Sequence, residues 1–279
     1  MESRTTEVDG LTMRWKESGE GTPLVLVHGI PTNPDLWRHV IPRIEGARCL
    51  AWEMVGYGRS ISEGRERPIS VARQADYLLD WLDALGIERA ILAGHDLGGG
   101  VVQITAVRRP ERCAGLLLTN AIGYDSWPIP SVKAMRALGG LVARLPDAAF
   151  ARVVRLFLLR GHDDRDRARE AFDHHFPPYE ETDGAAAFVR QVRSLDVRDT
   201  LAVADDLPRI DVPARIAWGA ADQFQKVEYG RRFARDLGAP LHEIEGGKHF
   251  TPEDHPEPIA EPLVELIDEV LQRERGDAP

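Results

Sequence analysis

The stretch Ala90-Ile91-Leu92-Ala93-Gly94-His95-Asp96-Leu97-Gly98-Gly99-Gly100 decides the fold. Its first four residues are apolar and suit one buried strand, and the glycines after them ask for a sharp turn into a helix. Gly94 and Gly98 stand two places before and two places after Asp96. Small residues there let strand and helix approach closely while the central side chain is held on an exposed corner. Ser, the usual central residue, attacks only after a base takes its proton, whereas Asp96 is already ionised at neutral pH. Two readings fit Asp96 alone: a nucleophile, or a cap on the helix that follows.

Outward from this turn, strands alternate with helices. Upstream, Thr5–Trp15 reads as a β-hairpin about Asp9-Gly10, and Leu24–Val27 as a strand leading into His28-Gly29-Ile30-Pro31. Asn33 or Asp35 then suits the cap of a helix through about Ile44. A strand over Cys49–Trp52 precedes a helix over Ser70–Leu85, whose apolar positions Val71, Ala75, Leu78, Leu79 and Leu82 recur at helical spacing. Downstream come a helix over Leu97–Arg108 and a strand over Gly115–Thr119. The alternation predicts an α/β fold with a doubly wound, mostly parallel sheet covered on both faces.

Between Tyr124 and Leu207 the pattern changes to amphipathic helical stretches, among them Val132–Leu145 and Ala148–Leu159. This predicts a helical lid over 124–207, inserted in a core made of 1–123 and 208–279. The sheet resumes at Ala214–Trp218, continues at Pro240–Ile244, and a helix over Ile259–Arg273 closes the chain.

The chain has 279 residues, 43% hydrophobic and 29% charged, which is ordinary for a globular protein. Its net charge of −10 argues against a nucleic-acid partner, since a phosphate backbone calls for a basic patch. No apolar run suits a membrane span, and Met1–Gly10 lacks the apolar core of a signal peptide. Cys49 and Cys113 are expected as buried free thiols, which fits a cytoplasmic setting. No set of His, Cys or carboxylates has metal-ligand spacing, and no cofactor is expected.

Three loops that follow strands each offer one apt side chain: Asp96, then Asp222, then His249. Loops at the carboxyl ends of strands in such a sheet converge on one crevice. There His249 suits a base, and Asp222 the group that fixes its tautomer and stabilises its charged form. Taken singly, Asp222 also suits a turn and His249 a satisfied surface histidine.

This order, the elbow and the His28-Gly29-Ile30-Pro31 turn together resemble the α/β-hydrolase family over nearly the whole chain. An Asp at the elbow makes the chain most similar to the branch that contains epoxide hydrolases and haloalkane dehalogenases. The resemblance implies a covalent aspartyl ester on Asp96, hydrolysed by water that His249 activates. It also implies an oxyanion hole from the backbone N–H groups of Ile30 and Leu97, and a cis peptide at Ile30-Pro31. The partners implied are a small apolar organic substrate and water.

The leaving group divides the branch. Haloalkane dehalogenases typically carry Trp after the nucleophile and often Asn in the turn, where this chain has Leu97 and Ile30. Epoxide hydrolases usually use lid tyrosines, for which Tyr179 and Tyr124 are the candidates. Trp127 and Phe250 are candidate pocket residues. Epoxide hydrolysis is therefore the leading expectation, with haloalkane dehalogenation and a non-catalytic ligand-binding protein on the same fold as alternatives.

Overall fold

The computed structural model describes residues 1–276. Asp9 and Gly10 both have positive φ, 49° and 70°, the backbone a two-residue hairpin turn needs to follow the strand twist. They join β1 (Glu2–Val8) to β2 (Leu11–Ser18) in antiparallel register. Six further strands follow: β3 (Thr22–Val27), β4 (Ala47–Trp52), β5 (Ala90–His95), β6 (Cys113–Thr119), β7 (Ala214–Gly219) and β8 (Leu241–Ile244). Their order in the single sheet is β1-β2-β4-β3-β5-β6-β7-β8, and from β4 to β8 every pairing is parallel.

All of β5 and β6 is buried, as the unbroken apolar runs require for strands covered on both faces. The helix Val71–Ala84 covers part of one face. Ser70 caps it by accepting from the Arg73 N–H at 3.2 Å, and Val71, Ala75, Leu78 and Leu82 form its buried stripe. Cys49 and Cys113 are free and buried, and burial pushes both thiols up to about 12.

Topology places the site. The chain runs from β3 outward to β4, then returns to lay β5 on the other side of β3. The loops after β3 and β5 thus diverge at the point where strand order reverses, which opens a crevice at the carboxyl ends.

Two local expectations are corrected. No α-helix follows Asn33: its side chain accepts from the Asp35 N–H at 2.9 Å and caps a 3₁₀ turn, Pro34–Trp37, with a second 3₁₀ turn at Ile41–Arg43. Pro42 has no N–H to donate and disfavours helical backbone at Ile41, so one helix cannot run through. The stretch Val132–Leu145 likewise divides into helices Pro130–Ala137 and Gly139–Val142, the break falling at Leu138 directly before the Gly139-Gly140 pair. Between β6 and β7 the described residues form no strand, and the longer helices there are Asp147–Gly161, Arg165–His175, Gly184–Arg193 and Arg198–Ala204.

The turn glycines are steric necessities. A Cβ on Gly98 would stand 2.1 Å from the Val27 carbonyl oxygen, and one on Gly94 would stand 2.4 Å from the Gly98 oxygen. Backbone cannot yield as a flexible side chain can. Gly98→Ala is therefore expected to lower stability by about 1–3 kcal/mol or more, read as the shift in a denaturant midpoint. Gly140→Ala, with open space around its Cβ, is the control and is expected to keep or raise stability.

Candidate active site

Asp96 lies between β5 and the helix Leu97–Arg108, with φ 50° and ψ −119°. The side chain caps nothing in that helix, which removes the capping reading. Its carboxylate instead reaches back toward the turn after β3, where the Ile30 N–H donates to Oδ2 at 3.0 Å. Gly29 permits the approach, because a Cβ there would meet Oδ2 at 2.4 Å.

His28 builds that turn. Its Nδ1 lies 2.9 Å from the Gly29 carbonyl oxygen, and its Nε2 lies 3.2 Å from the Met54 nitrogen. Only a neutral ring with the proton on Nδ1 satisfies both contacts, and burial holds this imidazole down at about 3. The Ile30-Pro31 peptide is cis, as expected, and Trp127-Pro128 is cis as well.

Asp222 follows β7, and His249 follows β8. His249 Nδ1 is 2.8 Å from Asp222 Oδ2, while its Nε2 is 4.0 Å from Asp96 Oδ1. The first distance is a hydrogen bond. The second is too long for one and leaves the ring beside, rather than on, the Asp96 carboxylate. All three side chains are buried.

Burial works against charge on the imidazole, but Asp222, by charge and hydrogen bond, and then Asp96 outweigh it. His249 thus titrates above an ordinary histidine. Burial also raises the Asp96 carboxyl above the usual aspartate range, although the His249 charge and the Ile30 and Leu97 N–H groups oppose the shift.

Two supports were not foreseen from the sequence. Asn120, at the end of β6 with φ 42°, donates to Asp222 Oδ2 at 2.7 Å and accepts from Thr251 Oγ1 at 2.8 Å. The Phe224 N–H donates to Asp222 Oδ1 at 2.6 Å. The only sequence signal for Asn120 was its place directly after an apolar strand. His95, directly before Asp96, has Nε2 2.9 Å from the His249 carbonyl oxygen and is held neutral chiefly by burial.

An apolar cleft opens over Asp96 and His249. Ile30, Leu97, Phe224 and Gln225 line it from the core, and Trp127, Val132, Phe157 and Leu195 from the helical segment. Its free volume is about 30 Å³.

Three other candidates lie elsewhere. The Tyr124 hydroxyl donates to Asp236 at 2.8 Å, and its ring packs on Phe233 under the Arg232 guanidinium. Tyr179 donates to Gln191 Oε1 at 2.8 Å and packs against Phe150. Burial raises both phenols. Phe250 sits behind His249, its ring stacked on His162 with centroids 4.6 Å apart. None of the three lines the cleft. Trp127 does line it, with Nε1 donating to Thr200 Oγ1 at 2.7 Å. Among the described residues no cluster of three His, Cys, Asp or Glu could hold a metal ion. No described helix is long and apolar enough to cross a membrane.

The sheet order, the elbow and the row of Asp96, His249 and Asp222 define an α/β hydrolase. The family model for the alpha/beta hydrolase fold matches residues 22–256, and the chain belongs to that family. At the elbow of this fold the chain carries Asp96. The chain is 29% identical over 286 aligned positions to haloalkane dehalogenase 2 of Mycobacterium tuberculosis, covering 95% of this chain and 94% of that protein. An α/β-hydrolase fold protein from Burkholderia ambifaria superposes with a TM-score of 0.84 at 25% identity, covering 94% of this chain and 97% of the other. An epoxide hydrolase shares the fold with a TM-score of 0.76 at 19% identity, covering 95% and 98%.

The Asn120 bond to Asp222 generates a prediction. Asn120→Ala leaves a buried carboxylate oxygen with one donor fewer and is expected to cost about 1–3 kcal/mol of stability. Negative charge no longer shared with Asn120 acts more strongly on His249, so the imidazole titration is expected to move upward. Nuclear magnetic resonance titration of the His249 ring reads this directly.

Proposed function

We propose that the protein hydrolyses small, largely apolar electrophiles through a covalent ester on Asp96, with epoxides as the leading substrate class. The observation that carries the covalent reading is the asymmetric setting of one carboxylate. Oδ2 is held by the Ile30 N–H at 3.0 Å, and Oδ1 lies 4.0 Å from His249 Nε2.

In the first step Oδ1 attacks a saturated carbon, forming the C–O bond of an alkyl ester as the bond to the leaving group breaks. Oδ2 becomes the ester carbonyl oxygen. In the second step His249 Nε2 takes a proton from water, whose oxygen attacks Cγ of Asp96. The Ile30 and Leu97 N–H groups hold the negative charge that develops on Oδ2, and collapse of the intermediate releases the alcohol and restores the carboxylate. Residues 124–207 act as the lid that excludes bulk water.

Proton balance favours an epoxide. Ring opening needs a proton for the departing oxygen, and an imidazolium at His249, stabilised by two carboxylates, supplies it. The resulting neutral ring is the base for the second step, and the cycle closes with no net proton change. A haloalkane leaves as a stable anion and requires His249 neutral from the outset. The second reading, dehalogenation, draws support from the likeness to haloalkane dehalogenase 2 along 95% of this chain.

Replacing His249→Gln is expected to stall ester hydrolysis and, with the imidazolium gone, to slow epoxide opening, so intact mass after prolonged exposure identifies the chemistry. An epoxide adds its whole mass, a haloalkane adds its mass less the hydrogen halide, and a binding protein gains nothing. Asp96→Asn is expected to abolish labelling. Single-turnover hydrolysis by the unmodified protein in ¹⁸O-water that leaves no ¹⁸O in the Asp96 carboxylate rules the ester out.

The pH dependence has a fixed sign. Only ionised Asp96 attacks, so the labelling rate falls as pH drops through a carboxyl pKa already above the aspartate range. Loss of the His249 charge removes an influence that lowers that pKa. The acid limb is therefore expected at higher pH in His249→Gln than for single-turnover ester formation in the unmodified protein, as measured by rapid quench.

A further inference from the structure

Nearly every side chain of the cleft wall is apolar or already committed to a partner. Trp127 Nε1 is spent on Thr200, and Asp96 and His249 belong to the proposed chemistry. Gln225 is different. It lines the cleft and is 3% exposed, and its Oε1 is buried with no hydrogen-bond partner. Its backbone carbonyl is turned onto Nε1 of Trp218 at 2.8 Å, so what Gln225 lends to the cleft is its carboxamide.

A buried amide oxygen without a donor is unfavourable, and native proteins leave few of them unpaired. Rotation of the whole loop to expose it is blocked, since neighbouring Phe224 gives its N–H to Asp222 and packs edge-on against His249 with centroids 5.0 Å apart. The Gln225 carboxamide is therefore the uncommitted polar group of the wall it shares with Asp96 and His249. A ligand that brings its own O–H donor gains a bond the free protein lacks, whereas a hydrocarbon chain seals the acceptor off unpaired.

We infer that the Gln225 carboxamide binds a hydroxyl group carried by the substrate, so that the cleft selects an apolar skeleton bearing one alcohol near the reacting carbon. This assignment rests on the reading of the cleft as the substrate site. It concerns recognition alone. Gln225 takes no part in bond making, and its neutral amide neither gives nor accepts the proton moved by His249.

Two unreactive probes of equal size separate the outcomes. n-Hexanol and methyl pentyl ether have the same atoms, but only the alcohol has a donor, and neither carries a group for Asp96 to displace. By calorimetry the unmodified protein is expected to bind the alcohol about tenfold more tightly. Gln225→Met, of similar length, brings the two within about twofold, whereas Gln225→Glu keeps an acceptor oxygen and keeps the preference. Equal binding by the unmodified protein overturns the assignment, as it would if water filled the acceptor for either probe. Failure of both probes to bind, or a preference that survives Gln225→Met, overturns it too. Should the methionine variant not fold, the side-chain amide resonances of Gln225 in the unmodified protein decide the matter: they shift with the alcohol and not with the ether, and any other result overturns the assignment. Labelling of Asp96 by an epoxide in His249→Gln is independent of these measurements, so the ester mechanism and the role of Gln225 can fail separately.

Discussion

The backbone of Asp96, at φ 50° and ψ −119°, is the constraint on which the site depends. A non-glycine residue held there costs about 1–3 kcal/mol and persists only where its surroundings over-determine it. Here they do. The helix that follows is buried from Leu97 through Ala106, and Gly94 and Gly98 let it press against β5 and the end of β3 with no room for a methyl group. Packing of that helix offsets the strain, and the strain turns the carboxylate toward the Ile30 N–H instead of into its own helix.

Charge is then managed by neighbours that carry none. Asp96, Asp222 and His249 are all withdrawn from water, which is unfavourable for each unless the others answer it. Asn120 and the Phe224 N–H fix Asp222, and Asp222 fixes His249. The three histidines near the site divide the work by protonation. His28 and His95 are neutral braces, each tied to a backbone carbonyl, while His249 alone faces two carboxylates and is pushed toward its charged form.

The helical segment between β6 and β7 is joined to the core by more than apolar contact. The Gly161 carbonyl accepts from both the His249 and Phe250 N–H groups, so the end of one of its helices holds the histidine loop. Beneath lies a buried polar cluster in which Glu253 pairs with Arg38 of the core and with His175 of the segment. Those partners hold the Glu253 carboxyl far below the usual range against the effect of burial. Such a network makes the position of the segment specific, because a shift that separates the pairs leaves buried charge uncompensated. The tight cleft follows from the same packing.

What the sequence determined by itself was whatever depends on near neighbours along the chain. The Asp9-Gly10 hairpin, the elbow glycines, the alternation of strand and helix, and the order of Asp96, Asp222 and His249 are all local patterns, and each stands in the structure where its pattern put it. The helix expected after Asn33 failed locally too, because Pro42 outweighed the apolar spacing. Tertiary structure decided which way side chains face. Tyr124 and Tyr179 lie in the expected part of the chain, but Asp236 and Gln191, distant or unremarkable in sequence, draw their hydroxyls away. Asn120 and Gln225 gained their places beside Asp222 and in the cleft wall only when β6, β7 and the helical segment came together. Periodicity is written in the chain, whereas a polar group's partner is chosen by whatever the fold brings within about 3 Å of it.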